Sequence, residues 1–76
     1  MVRSYVLAVT ATGRSLELLP EVREVEGVRE AHVVAGEYDL MIEADGESTS
    51  DVLRNTIERI RDLEGIGDTK TYVSID

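Results

Sequence analysis

Two short stretches of the sequence share one pattern: VEGV at residues 25–28 and LEGI at residues 63–66. Each glycine follows an amphipathic stretch, which is where a glycine commonly ends a helix. The chain is therefore predicted to consist of two similar halves, each with a helix that stops at the repeated glycine.

The first helix is predicted from the spacing of Leu18, Val22 and Val25, which are four and three residues apart. Pro20 falls within this stripe, and its missing N–H is tolerated only in the first turn of a helix. The helix is therefore expected either to begin later, near Glu17, or to bend at Pro20.

The second helix has a clearer start and a longer apolar stripe. Ser48 precedes Asp51 by three residues, an arrangement similar to a capping box, and Ser15 is interpreted as the corresponding residue at the start of the first helix. The apolar stripe recurs at spacings of four, three and three and comprises Leu53, Ile57, Ile60 and Leu63.

Four segments rich in β-forming residues complete the pattern, and they cover residues 2–10, 28–35, 38–44 and 69–75. The short connection at Gly36 and Glu37 makes the middle two a hairpin. The order β-α-β-β-α-β is that of the ferredoxin-like α+β fold, in which both helices cover one face of an antiparallel sheet.

The other face of this sheet is expected to be apolar as well. Alternation along the strands sends Val6, Ala8, Leu40 and Ile42 to one face, and Tyr5, Leu7, Val9 and Met41 to the other. In a single chain this face would leave an apolar patch of roughly several hundred Å² in water, which normally marks an interaction surface. Two sheets packed face to face would bury it. The sequence therefore predicts a dimer at least.

Composition narrows the functional classes for this single domain of residues 1–76. Sixteen acidic and eight basic residues give a net charge of -8, which disfavours direct nucleic-acid binding. The absence of cysteine excludes disulfides and thiolate chemistry.

No apolar run is long enough for a membrane span or signal peptide, so a cytoplasmic location is expected. Seven of the eight basic residues are Arg, a bias that would suit a high-salt cytoplasm.

Few residues suggest chemistry. Asp39, beside a glycine turn and an aromatic residue, could accept from backbone N–H groups or bind a ligand's ammonium. Thr69 and Thr71 project from one face of the last strand and could hold one polar ligand, although threonine is also an ordinary strand former. His32 is the only histidine, has no visible second ligand or nucleophile, and is expected to be structural.

The hairpin VVAGEYDLMI, residues 33–42, resembles the glycine-x-tyrosine-aspartate hairpin of the effector-binding (RAM) domain of Lrp/AsnC transcription regulators. Three further stretches are similar to that domain: YVLAVT at 5–10 followed by Gly13, VEGV at 25–28, and GIGDTKT at 65–71. The resemblance covers essentially all 76 residues in order.

This resemblance implies a dimeric α/β barrel, with dimers joined into rings that bind a small amino-acid effector between neighbouring dimers. We expect no cofactor, no metal and no enzymatic activity. The residues that would line the site are Gly36, Glu37, Tyr38, Asp39, Thr69 and Thr71. Asp39 would take the α-ammonium, while backbone N–H groups and threonine hydroxyls would take the carboxylate.

The sequence departs from the family in two ways. No helix-turn-helix domain precedes the first strand, so a stand-alone domain without a DNA-binding domain, acting through full-length regulators, is expected. Thr12 stands where the family commonly has proline. Three alternatives stay open: an assembly-only interaction protein without a ligand, a cofactor-free dimeric α/β-barrel enzyme with His32 as its base, and the amino-acid-binding ACT domain, which shares the same order of elements.

Overall fold

A computed structural model describes all 76 residues of the chain. Its strands and helices are β1 (Val2–Thr10), α1 (Ser15–Arg23), β2 (Val28–Val33), β3 (Leu40–Gly46), α2 (Thr49–Asp51), a π-helical segment (Val52–Ile57), α3 (Glu58–Asp62) and β4 (Ile66–Val73). The three helical pieces between β3 and β4 follow one another without a break and are called the second helix below.

The four strands form one antiparallel sheet in the order β2-β3-β1-β4, so β1 and β3 are central and β2 and β4 are edges. The core lies between the sheet and the helices. Its fully buried side chains include Val6 and Leu40 from the sheet and Val22 and Ile60 from the helices. This is the predicted ferredoxin-like α+β fold.

Strand boundaries differ from the prediction around the hairpin. β2 ends at Val33 and β3 begins at Leu40, so the connection spans residues 34–39 and is longer than the predicted turn. It is closed by a 2.9 Å hydrogen bond from the Val34 N–H to the carbonyl of Asp39. β4 begins at Ile66, earlier than predicted, because Ile66 already pairs with Thr10 of β1. It ends at Val73, also earlier than predicted.

The first helix begins at Ser15, so of the two predicted alternatives the start near Glu17 is wrong. The Leu18 N–H donates to the carbonyl of Arg14 at 2.9 Å, so helical hydrogen bonding begins four residues before Leu18. Pro20 therefore lies inside the helix. Its side chain is exposed, and its carbonyl accepts from the N–H of Glu24 at 3.2 Å.

The second helix begins as predicted. The Ser48 side chain accepts a 3.1 Å hydrogen bond from the Asp51 N–H and so caps the helix. Ser15, by contrast, is the first residue of α1 and follows Arg14, whose side chain makes no capping hydrogen bond. The π-helical segment Val52–Ile57 has no counterpart in the sequence prediction.

The predicted internal repeat is present in the backbone. The first repeated glycine has φ of 96° and the second has φ of 101°, a conformation that glycine adopts without steric cost. Each glycine lies within an equivalent turn: the Val28 N–H donates to Val25 at 3.1 Å, and the Ile66 N–H donates to Leu63 at 3.2 Å.

The predicted division of side chains between the two faces of the sheet is confirmed. Val6, Ala8, Leu40 and Ile42 are fully buried under the helices. On the opposite face, named the open face here, Tyr5 is 41%, Met41 46% and Tyr72 56% exposed. None of the helices has the length and apolarity that a membrane crossing requires.

Candidate functional site

An open cleft of about 630 Å³ lies between the edge strand β4 and the second helix. Both β4 and the helix contribute several residues, and the β2–β3 connection contributes one. The cleft is lined by Tyr38, Leu53, Ile57, Arg61, Gly67, Asp68, Thr69, Lys70 and Thr71.

β4 borders the cleft with an irregular strand edge. It pairs with β1 on one side only, so backbone groups on its outer edge have no partner strand. Ala8 pairs with Thr69 and Thr10 pairs with Ile66, so β4 has one more residue than β1 between these pairs. This is a β-bulge at Gly67 and Asp68, a feature that redirects side chains and is common next to binding sites.

The two threonines of β4 lie on its helix-facing side, as predicted. Thr69 is opposite Ala8 and Thr71 is opposite Val6, and both partners are fully buried beneath the helices. Cross-strand partners share a face of the sheet. The hydroxyls of the half-buried Thr69 and Thr71 therefore lie on the same side of the sheet as the second helix.

The helix wall is built from residues four apart. Leu53, Ile57 and Arg61 all line the cleft. Leu53 is 41% exposed, Ile57 is buried, and Arg61 is an exposed cation. Leu53 and Ile57 belong to the stripe that the sequence identified as core. Sequence reasoning missed Arg61, although its spacing from Ile57 places it on the same face of the helix.

Of the six predicted site residues, the structure brings Tyr38, Thr69 and Thr71 together in the cleft. Gly36 and Glu37 are exposed in the β2–β3 connection and do not line it. Whether these residues bind a ligand stays a prediction.

Asp39 is also outside the cleft, and its carboxylate already has partners. Its Oδ2 atom accepts from the Thr10 N–H at 2.8 Å and from the Thr10 hydroxyl at 3.3 Å. Its own N–H donates to the carbonyl of Ala8 at 2.9 Å. Of the two roles considered for Asp39, acceptance from the backbone is therefore observed, and binding of a ligand ammonium stays a prediction.

His32 lies on the exposed edge of the open face, far from the helix side of the sheet. Its Nε2 atom is 3.2 Å from Oε1 of Glu30, and it pairs in register with Met41. No group of three or more His, Asp or Glu side chains is close enough together to hold a metal ion.

Comparison with known proteins identifies the family to which this chain belongs. Residues 6–76 match the family model described as the Lrp/AsnC ligand binding domain. The chain therefore belongs to the Lrp/AsnC ligand-binding domain family, which is a domain of transcription regulators.

Individual relatives agree with this assignment. An uncharacterized HTH-type transcriptional regulator of Pyrococcus abyssi is 33% identical over 60 residues, which cover 79% of this chain and 40% of the relative. The chain thus spans about two fifths of that relative's length. The crystal structure of hypothetical protein PHS023 from Pyrococcus horikoshii has a TM-score of 0.89 at 35% identity, covering 99% of this chain and 90% of that one.

A more distant solved structure shares the fold alone. The transcriptional regulator NMB0573 of Neisseria meningitidis, solved as a complex with L-Met, has a TM-score of 0.71 at 16% identity. The superposition covers 99% of this chain and 50% of that regulator.

Proposed function

We propose that this chain is an amino-acid-binding regulatory module that senses a small amino acid at an interface between its copies. It modulates full-length Lrp/AsnC-type regulators by associating with them, and DNA contact comes from those regulators. The observation that carries the proposal is the cleft along β4, in which Tyr38, Thr69 and Thr71 meet. An amino acid is a suitable ligand class because the fold relative NMB0573 is described as a complex with L-Met.

The six predicted residues would form the site from two copies of the chain. Tyr38, Thr69 and Thr71 line the cleft of one copy. Gly36 and Glu37 are exposed on the hairpin connection, where they are free to approach the cleft of a neighbouring copy. Asp39 would hold that connection against β1 through Thr10 and leave its second carboxylate oxygen available to a ligand.

A ligand held between copies provides a direct means of regulation. It stabilises whichever assembly completes the site, so its concentration shifts the distribution of oligomers. The open face supports a dimer as the basic unit, because Tyr5, Met41 and Tyr72 leave apolar surface in water in a single chain.

An assembly-only protein is the second candidate function. The bonds between Thr10 and Asp39 favour it, because they give the aspartate a structural role that needs no ligand. The open face would serve this role equally well. Enzymatic activity is not part of either proposal, since the exposed side chain of His32 has Glu30 as its hydrogen-bond partner and no nucleophile beside it.

Thermal unfolding of the purified chain with each common L-amino acid in turn tests the proposal. At a free concentration about 100 times the dissociation constant, a ligand adds ~2.7 kcal/mol per site, which moves the midpoint of so small a domain by roughly ten degrees or more. The D-enantiomer of the responding amino acid is the control. No shift with any amino acid, in a folded oligomer, would contradict the sensor and leave the assembly-only protein.

A further inference from the structure

Resting on the proposed function, we propose that the cleft binds its amino acid as a zwitterion through two residues outside the predicted set: Arg61 holds the carboxylate and Asp68 holds the ammonium. Leu53 and Ile57 contact the ligand's side chain. The ligand class is therefore an α-amino acid with an uncharged side chain.

Arg61 is the free cation on the helix side of the cleft. Four of the eight basic side chains have partners in the fold: Arg3, Arg14, Arg23 and Arg29. Arg54, Arg59, Arg61 and Lys70 have none, and of these four only Arg61 and Lys70 line the cleft. Lys70 also lines the cleft, but it pairs in register with Leu7 and so lies on the open face of β4, away from Thr69 and Thr71.

Arginine at this position suits a carboxylate. Its planar guanidinium can donate two parallel hydrogen bonds to the two oxygens of a carboxylate, which gives both orientation and energy. The zwitterion has no net charge, but its carboxylate still requires a cation within the site, because the chain around it is strongly acidic, with a net charge of -8. The hydroxyls of Thr69 and Thr71 lie on the same side of the sheet and can complete the hydrogen bonding.

Asp68 is the only acidic residue that lines the cleft. It lies in the β-bulge, where the departure from regular pairing redirects side chains at the strand edge. Its carboxylate takes part in no ion pair or hydrogen bond of the structure, whereas that of Asp39 is bonded to Thr10. Asp68 is therefore better placed than Asp39 to accept an ammonium from a ligand in this cleft.

The apolar part of the helix wall sets the side-chain preference. Leu53 is 41% exposed, a high value for a leucine on the inner stripe of an amphipathic helix, and it lines the cleft together with Ile57. A charged ligand side chain placed against these residues would lose hydration without gaining a counter-charge. An uncharged side chain would instead bury this apolar surface.

Isothermal titration measures the two charged contacts separately. The probe is the common L-amino acid that gives the largest thermal shift, together with its α-amide and its N-acetyl derivative. Arg61→Gln is expected to raise the dissociation constant for the amino acid about 10- to 100-fold, the usual range for loss of a charge-assisted hydrogen bond. Arg61→Gln should weaken the α-amide much less, because the amide has no carboxylate to lose. The dissociation constant of Arg61→Lys for the amino acid should lie between those of the unmodified chain and Arg61→Gln, since lysine keeps the charge but lacks the planar guanidinium.

Asp68→Asn is expected to raise the dissociation constant for the amino acid by a similar factor. It should raise that for the N-acetyl derivative much less, because this derivative has no ammonium to lose. The matched controls are Arg59→Gln and Asp62→Asn, which change exposed residues of α3 that do not line the cleft and should leave binding within twofold. All of the substituted side chains are exposed, so urea midpoints of every variant should match that of the unmodified chain.

The outcomes distinguish this inference from the function on which it rests. If the unmodified chain binds an amino acid while Arg61→Gln and Asp68→Asn bind it equally well, the inference is wrong and the sensor stands. A preference for aspartate, glutamate, lysine or arginine would overturn the assignment of an uncharged side chain. No binding of any amino acid would overturn both.

Discussion

At the scale of single residues, the two repeated glycines are needed for different spatial reasons. A Cβ on Gly27 would overlap the Thr56 hydroxyl and lie 3.1 Å from the carbonyl of Asp45. A Cβ on Gly65 would meet the flexible side chain of Leu18, whose Cδ1 atom is nearest, at 3.0 Å. A side chain therefore has less space at Gly27 than at Gly65, because the second helix lies against the backbone there.

Gly27→Ala should lower the free energy of unfolding by about 3 kcal/mol, because a positive φ costs roughly 1–2 kcal/mol for a residue with a Cβ and the overlap with Thr56 adds to it. Gly13→Ala is the control: it also has a positive φ, 75°, but nothing lies within 4 Å of the added atom, so about 1 kcal/mol is expected. Urea unfolding measures both, and equal losses would contradict the close approach.

Asp45 is a carboxyl group inside the fold whose titration should affect stability. The Arg3 guanidinium, with Nε 2.9 Å from Oδ1, lowers the pKa of the Asp45 carboxyl, and a hydrogen bond from Arg29 at 3.1 Å contributes further in the same direction. Because the pKa is lower in the folded chain than in the unfolded one, this stabilisation is present above about pH 4 and is lost as the pH falls through the folded-state value.

Asp45→Asn should therefore lower the free energy of unfolding at pH 7. Between pH 7 and pH 3 the variant should lose less stability than the unmodified chain, because it has no carboxylate at this position to protonate. Asp62→Asn, at an exposed carboxylate without an ion pair, should keep the full loss of the unmodified chain. Urea midpoints across this pH range provide the comparison. A parallel pH dependence in all three proteins would show that Asp45 contributes nothing to it.

At the scale of secondary-structure elements, the two helices begin in different ways. Ser48 accepts from the Asp51 N–H, whereas Ser15 follows an uncapped start at Arg14. Ser48→Ala should cost about 1 kcal/mol of stability, the usual value for loss of a side-chain cap, and Ser15→Ala should cost much less. Thermal unfolding in parallel measures the difference, and a larger loss at Ser15 would contradict the assignment of the caps.

The elements themselves could largely be predicted from the sequence, because helical spacing and strand alternation report which face of an element is buried. The π-helical segment Val52–Ile57 and the bulge at Gly67 and Asp68 could not. An apolar spacing of four and three fits several helical hydrogen-bond patterns. The bulge depends on how β4 registers against β1, which is a contact between the two ends of the chain.

The same limit applies to the candidate site. Tyr38, Thr69 and Thr71 were predicted because the hairpin and the last strand carry recognisable motifs. Arg61 and Asp68 carry no motif, and they come to line the same cleft only when β4 lies along the second helix. A site formed where elements meet at the edge of a sheet is defined by tertiary structure, and sequence patterns show only the part that belongs to one element.

At the scale of the whole molecule, the open face is the surface through which copies of the chain are proposed to associate. Met41 lies near its centre, between Leu7 of β1 and His32 of β2, and is 46% exposed. Met41→Glu should weaken a dimer formed through this face about 100-fold or more, because it places a charge in an apolar interface. The control Leu16→Glu changes a 73% exposed side chain of α1, on the other side of the molecule. Dilution series by sedimentation velocity would show the difference, and equal effects would exclude the open face as the interface.

Sedimentation equilibrium of the unmodified chain, alone and with each amino acid that shifts its thermal midpoint, tests the central claim most directly. The chain alone should have the mass of two copies or more, and the amino acid should move the distribution toward the larger assembly, because the proposed site also includes the hairpin connection of a neighbouring copy. A mass of one chain at every concentration, or a distribution that no amino acid changes, would contradict an effector-sensing oligomer.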